Sequence, residues 1–160
     1  MNHKELAMEN FLRGCNCSQA IMLAFCDITG IDEKTALRLS SSFGGGMGRL
    51  REACGAFSGM ILVAGLLYGY DDVESPALKS AHYKRVQELA ARFKEATRSE
   101  NAEEGSIVCR ELLGLSKGEN SGGEPAERTA EYYAQRPCKG IIGKAAEILD
   151  RYIEENPFDQ

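Results

Sequence analysis

The sequence has no Cys-x-x-Cys pair, no haem-type Cys-x-x-Cys-His and no close ligand doublets of the zinc-finger kind. Any site built from its six cysteines, at positions 15, 17, 26, 54, 109 and 138, must therefore be assembled by the fold. No basic stretch forms a stripe for phosphate backbones, and 19 Lys and Arg against 24 Asp and Glu leave a net charge of -5, so nucleic acid is not expected as a partner. Met1 to Arg13 lacks the charged start and continuous apolar run of a secretory leader, which points to a cytoplasmic protein. In a reducing cytoplasm six thiols are not three permanent staples; core packing, metal ligation and transient redox chemistry are the uses left open.

Residues that favour strands are also scarce. Val, Ile and Thr number seventeen, whereas Ala, Leu and Glu number fifty-one, and β-branched side chains lose rotamer freedom in helices. With 160 residues, 43% of them apolar, the expectation is an all-α, single-domain helical bundle spanning residues 1–160. Apolar spacing and cap residues predict helices over about 4–13, 17–29, 32–43 and 75–98, then 107–115, 126–135 and 138–155. Asn16, Asp32 and Ser75 are their candidate N-caps. The stretch 117–128, KGENSGGEPAER, reads as an exposed connection.

Glycine is concentrated rather than scarce: eight of seventeen fall between Gly44 and Gly69. From Ala53 to Tyr70 eighteen residues carry no charge, which just reaches the length of a membrane span. Four glycines, a serine and a cysteine dilute that run, and the amphipathic helices around it need an apolar partner, so a buried, Gly-rich central helix explains it better than a span. Gly55 with Gly59, and Gly65 with Gly69, make two small-xxx-small pairs that allow another helix to approach closely. The preceding Gly44-Gly45-Gly46-Met47-Gly48-Arg49 loop could offer N–H groups to an anion, yet without a preceding strand or a following Lys-Ser or Lys-Thr it is not read as a nucleotide loop.

Cys17, Cys54 and Cys138 each fall at a predicted helix start, where the partial positive charge of the N-terminus stabilises a thiolate. Cys54 also follows the cations Arg49 and Arg51. Cys109, with Leu112 and Leu113 on its side of a short helix, suits a resolving, ligating or packing role. Cys26 lies nine residues past Cys17, about half a circle round a helix, and is assigned to the core, while Cys15 sits outside the helix near Cys17. His82, on the apolar stripe Leu78, His82, Val86, Leu89, Ala90 and Phe93, reads more simply as a core histidine than as a base or ligand.

The residues GCNCSQA around Cys17, the loop FGGGMGRLREA, the run Cys54-Gly55-Ala56-Phe57-Ser58-Gly59, and then Cys109 and Cys138 occur in an order that resembles the C_GCAxxG_C_C family of redox-active proteins with four cysteines around a CGAxxG motif. The resemblance covers about Gly14 to Ile148 and implies that Cys17, Cys54, Cys109 and Cys138 are the characteristic cysteines of a bacterial or archaeal redox protein. It names no substrate or cofactor.

Three functions fit. The first is thiol-disulfide chemistry, in which Cys54, Cys17 or Cys138 attacks and a neighbour resolves the intermediate, with a redox partner protein supplying or accepting electrons. In the second, Cys17, Cys54, Cys109 and Cys138 ligate zinc or an iron-sulfur cluster. The third is a helical interaction module, such as a homodimer, whose thiols are incidental.

Overall fold

Asn2, Asn16, Asp32, Ser75 and Thr129 each cap the helix they precede, and these caps fix those boundaries. The computed structural model describes residues 2–158. Helix α1 (His3–Leu12) opens on an Asn2 capping box, and α2 (Cys17–Ala24) on a second box in which Asn16 accepts from the Gln19 amide at 2.9 Å. A short α3 (Cys26–Thr29) follows, then α4 (Glu33–Ser40), capped by Asp32. The central α5 (Gly55–Tyr68) leads to the long α6 (Pro76–Ala96), where Ser75 caps and Pro76 occupies the first turn. The chain ends through α7 (Cys109–Leu112), α8 (Ala130–Gln135) and α9 (Cys138–Glu155). No strand forms among the described residues, only two isolated bridges. The all-α expectation holds.

Helix α5 is the buried central element expected from its uncharged sequence. It packs on α2, α6 and α9, while α1 covers both α2 and α9. Phe11, Ile21, Met22, Phe25, Met60 and Leu149 are fully enclosed where these helices meet. Each such side chain stabilises the bundle by roughly 1.5–3 kcal/mol relative to exposure. No described helix is long and apolar enough to cross a membrane.

Several boundaries differ from the sequence expectation. The helix expected over 17–29 breaks at Phe25, whose backbone (φ -104°, ψ 17°) leaves the α region as its ring is buried and stacked on His3 at 4.3 Å. The helix expected to reach Phe43 tightens into a 3-10 turn, Ser41–Phe43. The expected 107–115 helix is confined to Cys109–Leu112, because residues 107 and 108 are drawn into backbone pairing with the segment before α5. Helix α8 begins at Ala130, where the Thr129 hydroxyl accepts from the Tyr132 amide. The α6 stripe is only half used: Leu89 and Phe93 are buried, but Leu78 is 48% exposed.

Of the two glycine pairs, one is a packing device. A Cβ on Gly59 would stand 2.9 Å from the Ile21 Cβ and from the Ser18 carbonyl oxygen, and one on Gly55 would stand 2.9 Å from the Cys17 Cβ. Helices α2 and α5 touch backbone to backbone there. Gly65 has nothing within 4 Å of its Cβ position, and Gly69 would meet only the Gly65 carbonyl of its own helix. The second pair therefore brings no helix closer.

Candidate functional site

The approach of α2 to α5 sets the first feature of the site. Cys17 is the first residue of α2, and Cys54 is the residue on which α5 starts, so contact at Gly55 brings the two cysteines together. A second device places Cys109. The Cys54 amide donates to the Ile107 carbonyl at 2.6 Å, the Cys109 amide donates to Glu52 at 2.6 Å, and the Arg110 amide donates to Arg51 at 3.1 Å, around an antiparallel bridge between Ala53 and Val108. This pairing is reinforced by the Arg110 guanidinium, which reaches both Glu52 carboxylate oxygens. Cys138 arrives from the other end of the chain as the first residue of α9. All four cysteines line one cavity of about 410 Å³.

The glycine loop forms one wall. Gly45, Gly46, Met47, Gly48 and Arg49 all have φ between 60° and 69°, and Arg51 has φ 62°. The backbone thus winds left-handed through residues that include Met47 and Arg49, where L side chains cost roughly 1–2 kcal/mol each. Gly46 cannot carry a side chain, since its Cβ would lie 2.6 Å from the Cys109 Cβ. The loop therefore brings its backbone close to Cys109 and delivers Arg51 to the cavity wall.

Arg51 is 4% exposed. Its Nε donates to the Ser121 hydroxyl at 2.8 Å, and its Nη1 donates to the Cys109 sulfur at 3.7 Å. Stretch 117–128, expected to be only an exposed connection, is tied down at Ser121 and again at Arg128. Arg128 lies over the rings of Phe11 at 4.7 Å and Tyr132 at 4.9 Å and donates to the Cys15 carbonyl. Arg136 also lies over the Tyr132 ring, 4.6 Å from its centroid. Arg128 and Arg136 were not legible as site residues; only the two-residue separation of Arg136 from Cys138 hinted at either.

The four thiols are not equivalent. Cys138 is held down to about 7, first by its hydrogen bond with Cys17, against the cost of burial, and further by the positive charges of Arg136, Arg51 and Arg128. Cys17 is pushed up, first by its interaction with Cys138 and then by burial beside the other sulfurs. Cys54 is 7% exposed and burial raises it to about 12, although the Phe57 and Ala56 amides oppose that rise. Cys109 is raised by burial, with Arg51 offsetting part of it. Of the three cysteines at helix starts, only Cys138 gains a lowered pKa; at Cys17 the interaction with Cys138 and burial, and at Cys54 burial, outweigh the helix end.

All six cysteines are free thiols. Cys26 lies away from the cavity, half-buried against the core, with its thiol donating to the Met22 carbonyl at 3.5 Å. Cys15 is half-buried and also packs against the core, outside the cavity wall. His82 is remote from the cysteines, half-buried beside Tyr70, and its Nδ1 has no hydrogen-bond partner. Among the described residues no group of three or more His, Cys, Asp or Glu side chains is arranged to hold a metal ion.

A family model described as "Putative redox-active protein (C_GCAxxG_C_C)" matches residues 15–152, a span that contains every cysteine of the cavity. The motif in that description is written Gly-Cys-Ala, whereas the corresponding run here is Cys54-Gly55-Ala56, with Cys and Gly in the opposite order. No curated protein and no solved structure matches the chain.

Proposed function

The chain belongs to the C_GCAxxG_C_C family of redox-active proteins, and on that premise we propose that it performs thiol-disulfide exchange with Cys138 as the attacking thiolate and Cys17 as its resolving partner. The observation that carries this reading is that Cys17 and Cys138, each the first residue of its helix, line one cavity with Arg51, Arg128 and Arg136, and the Cys17 side chain together with those positive charges holds the Cys138 thiol down to about 7 while Cys17 is pushed up. A thiol with a pKa near ambient pH is the best attacking thiol, because it combines a high thiolate fraction with retained nucleophilicity.

The Cys138 thiolate attacks one sulfur of a substrate disulfide, forming a mixed disulfide and expelling a thiolate that takes the Cys17 proton. Cys17, now deprotonated, attacks the Cys138 sulfur, closes a Cys17–Cys138 disulfide and expels the second substrate thiolate, which solvent protonates. Two electrons pass from the dithiol to the substrate. Cys54 and Cys109, nine-tenths buried and of raised pKa, stay protonated and take no part in the first attack.

The competing reading, zinc or an iron-sulfur cluster on the same four cysteines, needs at least three sulfurs converging on one point, and the described residues contain no such group. Anaerobically purified protein tests both readings. Thiol counting and peptide mapping after a mild disulfide oxidant are expected to find a Cys17–Cys138 bond that reductant reverses, and a trapped mixed disulfide at Cys138 in Cys17→Ser. Stoichiometric iron or zinc lost on replacing Cys138, or a first mixed disulfide at Cys54, would overturn the assignment.

A further inference from the structure

The cavity is unlike the rest of the surface in its charge. The chain carries a net charge of -5, yet four arginines, Arg49, Arg51, Arg128 and Arg136, line the cavity, and among the described residues no Asp, Glu or Lys does. Outside the cavity Arg13, Arg92, Arg98, Arg110 and Arg151 each pair with a carboxylate, whereas Arg38 forms no such pair among the described residues and Arg85 is taken up by the Tyr152 hydroxyl and the Tyr68 ring. None of the four cavity arginines forms such a pair among the described residues. Arg51 is the telling case, because its guanidinium, 4% exposed, donates to a serine hydroxyl and a thiol and pairs with no carboxylate among the described residues. One face of Arg128 is in the same state, since its Nη1 is buried without a hydrogen-bond partner.

A single thiolate at Cys138 does not balance four cations. Arginine's planar fork is built to pair with carboxylates, which it binds through two parallel N–H donors. We infer that the cavity takes a small disulfide carrying carboxylates, held by Arg51, Arg128 and Arg136 with its sulfur-sulfur bond toward Cys138. The inference rests on the exchange chemistry proposed above and names its substrate class. An acidic protein would repel such a molecule at long range, whereas a recessed cavity of one sign concentrates it locally. Besides the arginines the wall offers the uncharged polar side chains of Asn16, Gln19, Ser41 and Tyr132 and the apolar Leu112, Leu113 and Ile141, so the arginines are its cationic partners for a carboxylate.

The test uses the reduced full-length protein at low ionic strength and three disulfides of similar reactivity and different charge: oxidised glutathione, the neutral 2-hydroxyethyl disulfide and the cationic cystamine. The anionic disulfide is expected to oxidise Cys17 and Cys138 at least about tenfold faster than the neutral one, cystamine to be slowest, and salt to erase the ranking. In a variant carrying Arg128→Gln and Arg136→Gln the ranking should collapse, and Arg136→Lys should restore part of it. Iodoacetamide alkylation of Cys138 reports the thiolate fraction of each variant, which separates loss of binding from loss of acidity. Equal rates for the three disulfides, or one common factor of slowing for all of them in the variants, would overturn the inference and reduce the arginines to tuning the thiol. Reaction with none of the three would instead remove the exchange chemistry. In that case calorimetry with S-methylglutathione, which has the carboxylates and no disulfide, reads the anion site separately, and absence of binding would overturn it too.

Discussion

Gly55 has no room for a side chain because its Cβ would stand 2.9 Å from the Cβ of Cys17 and 3.0 Å from the Phe43 carbonyl oxygen. The glycine that follows Cys54 is thus the contact that sets how near Cys17 comes to it. Gly55→Ala is expected to destabilise the protein by about 1–3 kcal/mol, the usual range for forcing a methyl into a tight contact. It should also slow Cys17–Cys138 disulfide formation. Gly65→Ala provides the opposite sign: with nothing near its Cβ position and a helical setting, it should stabilise by about 0.5–1 kcal/mol. Urea unfolding of the two variants checks the pair, and a stable Gly55→Ala protein would show that α2 is not seated on α5.

The lowered pKa of Cys138 predicts a pH profile. Alkylation by iodoacetamide should rise with pH through a midpoint of about 7 and map to Cys138. In Cys17→Ser the sulfur partner that contributes most to that acidity is gone, so the midpoint should move up towards the ordinary thiol range. An unchanged midpoint would assign the acidity to the arginines alone.

His3 ties three helices, with Nδ1 at 2.5 Å from Asp150 and Nε2 at 3.1 Å from Asp27, while its ring lies on Phe25. Burial alone would lower its pKa, but the hydrogen bonds and charges of the two carboxylates together raise it above 6.5. The stabilisation is therefore complete below pH 6.5 and is lost as pH climbs through the raised folded value. His3→Gln should cost on the order of 1 kcal/mol at pH 5.5, after allowance for the solvent exposure of Asp27, and progressively less as pH rises through the raised folded value. Denaturant midpoints across that range measure it, and a gap that widens with pH would contradict the sign.

Ser18 is fully buried at the α2–α5 contact, and its hydroxyl has no hydrogen-bond partner. An orphaned buried polar group costs roughly 1–3 kcal/mol, so Ser18→Ala is expected to be neutral or to stabilise by about 1 kcal/mol. A clear loss of thermal stability would mean that the hydroxyl is satisfied in solution.

Much of the bundle was legible because helix content, caps and the uncharged run are local signals. Asn16, Asp32 and Ser75 cap where their side chains suggested, and the 53–70 stretch forms the central helix. The breaks at Phe25 and before Cys109 were not legible, since both are decided by tertiary partners: a ring stacked on His3 in one case, backbone pairing with 51–54 in the other. The four cysteines were readable from their order, but their inequality was not. It depends on which sulfur faces which guanidinium, and Arg128 enters from a Gly-rich connection whose composition speaks only of exposure.

The short antiparallel pairing of 51–54 with 107–110 has a consequence for how such chains can vary. It closes off everything between the two cysteines, including all of α6, as an excursion that leaves and returns through one fixed gate. The contour length of that excursion is then uncoupled from the separation of the sulfurs: added turns in α6, or residues inserted near the 74% exposed Val73, would lengthen the detour without moving its endpoints. A cysteine arrangement secured in this way needs no fixed spacing in the sequence, and for that reason no short spacing rule could have announced it.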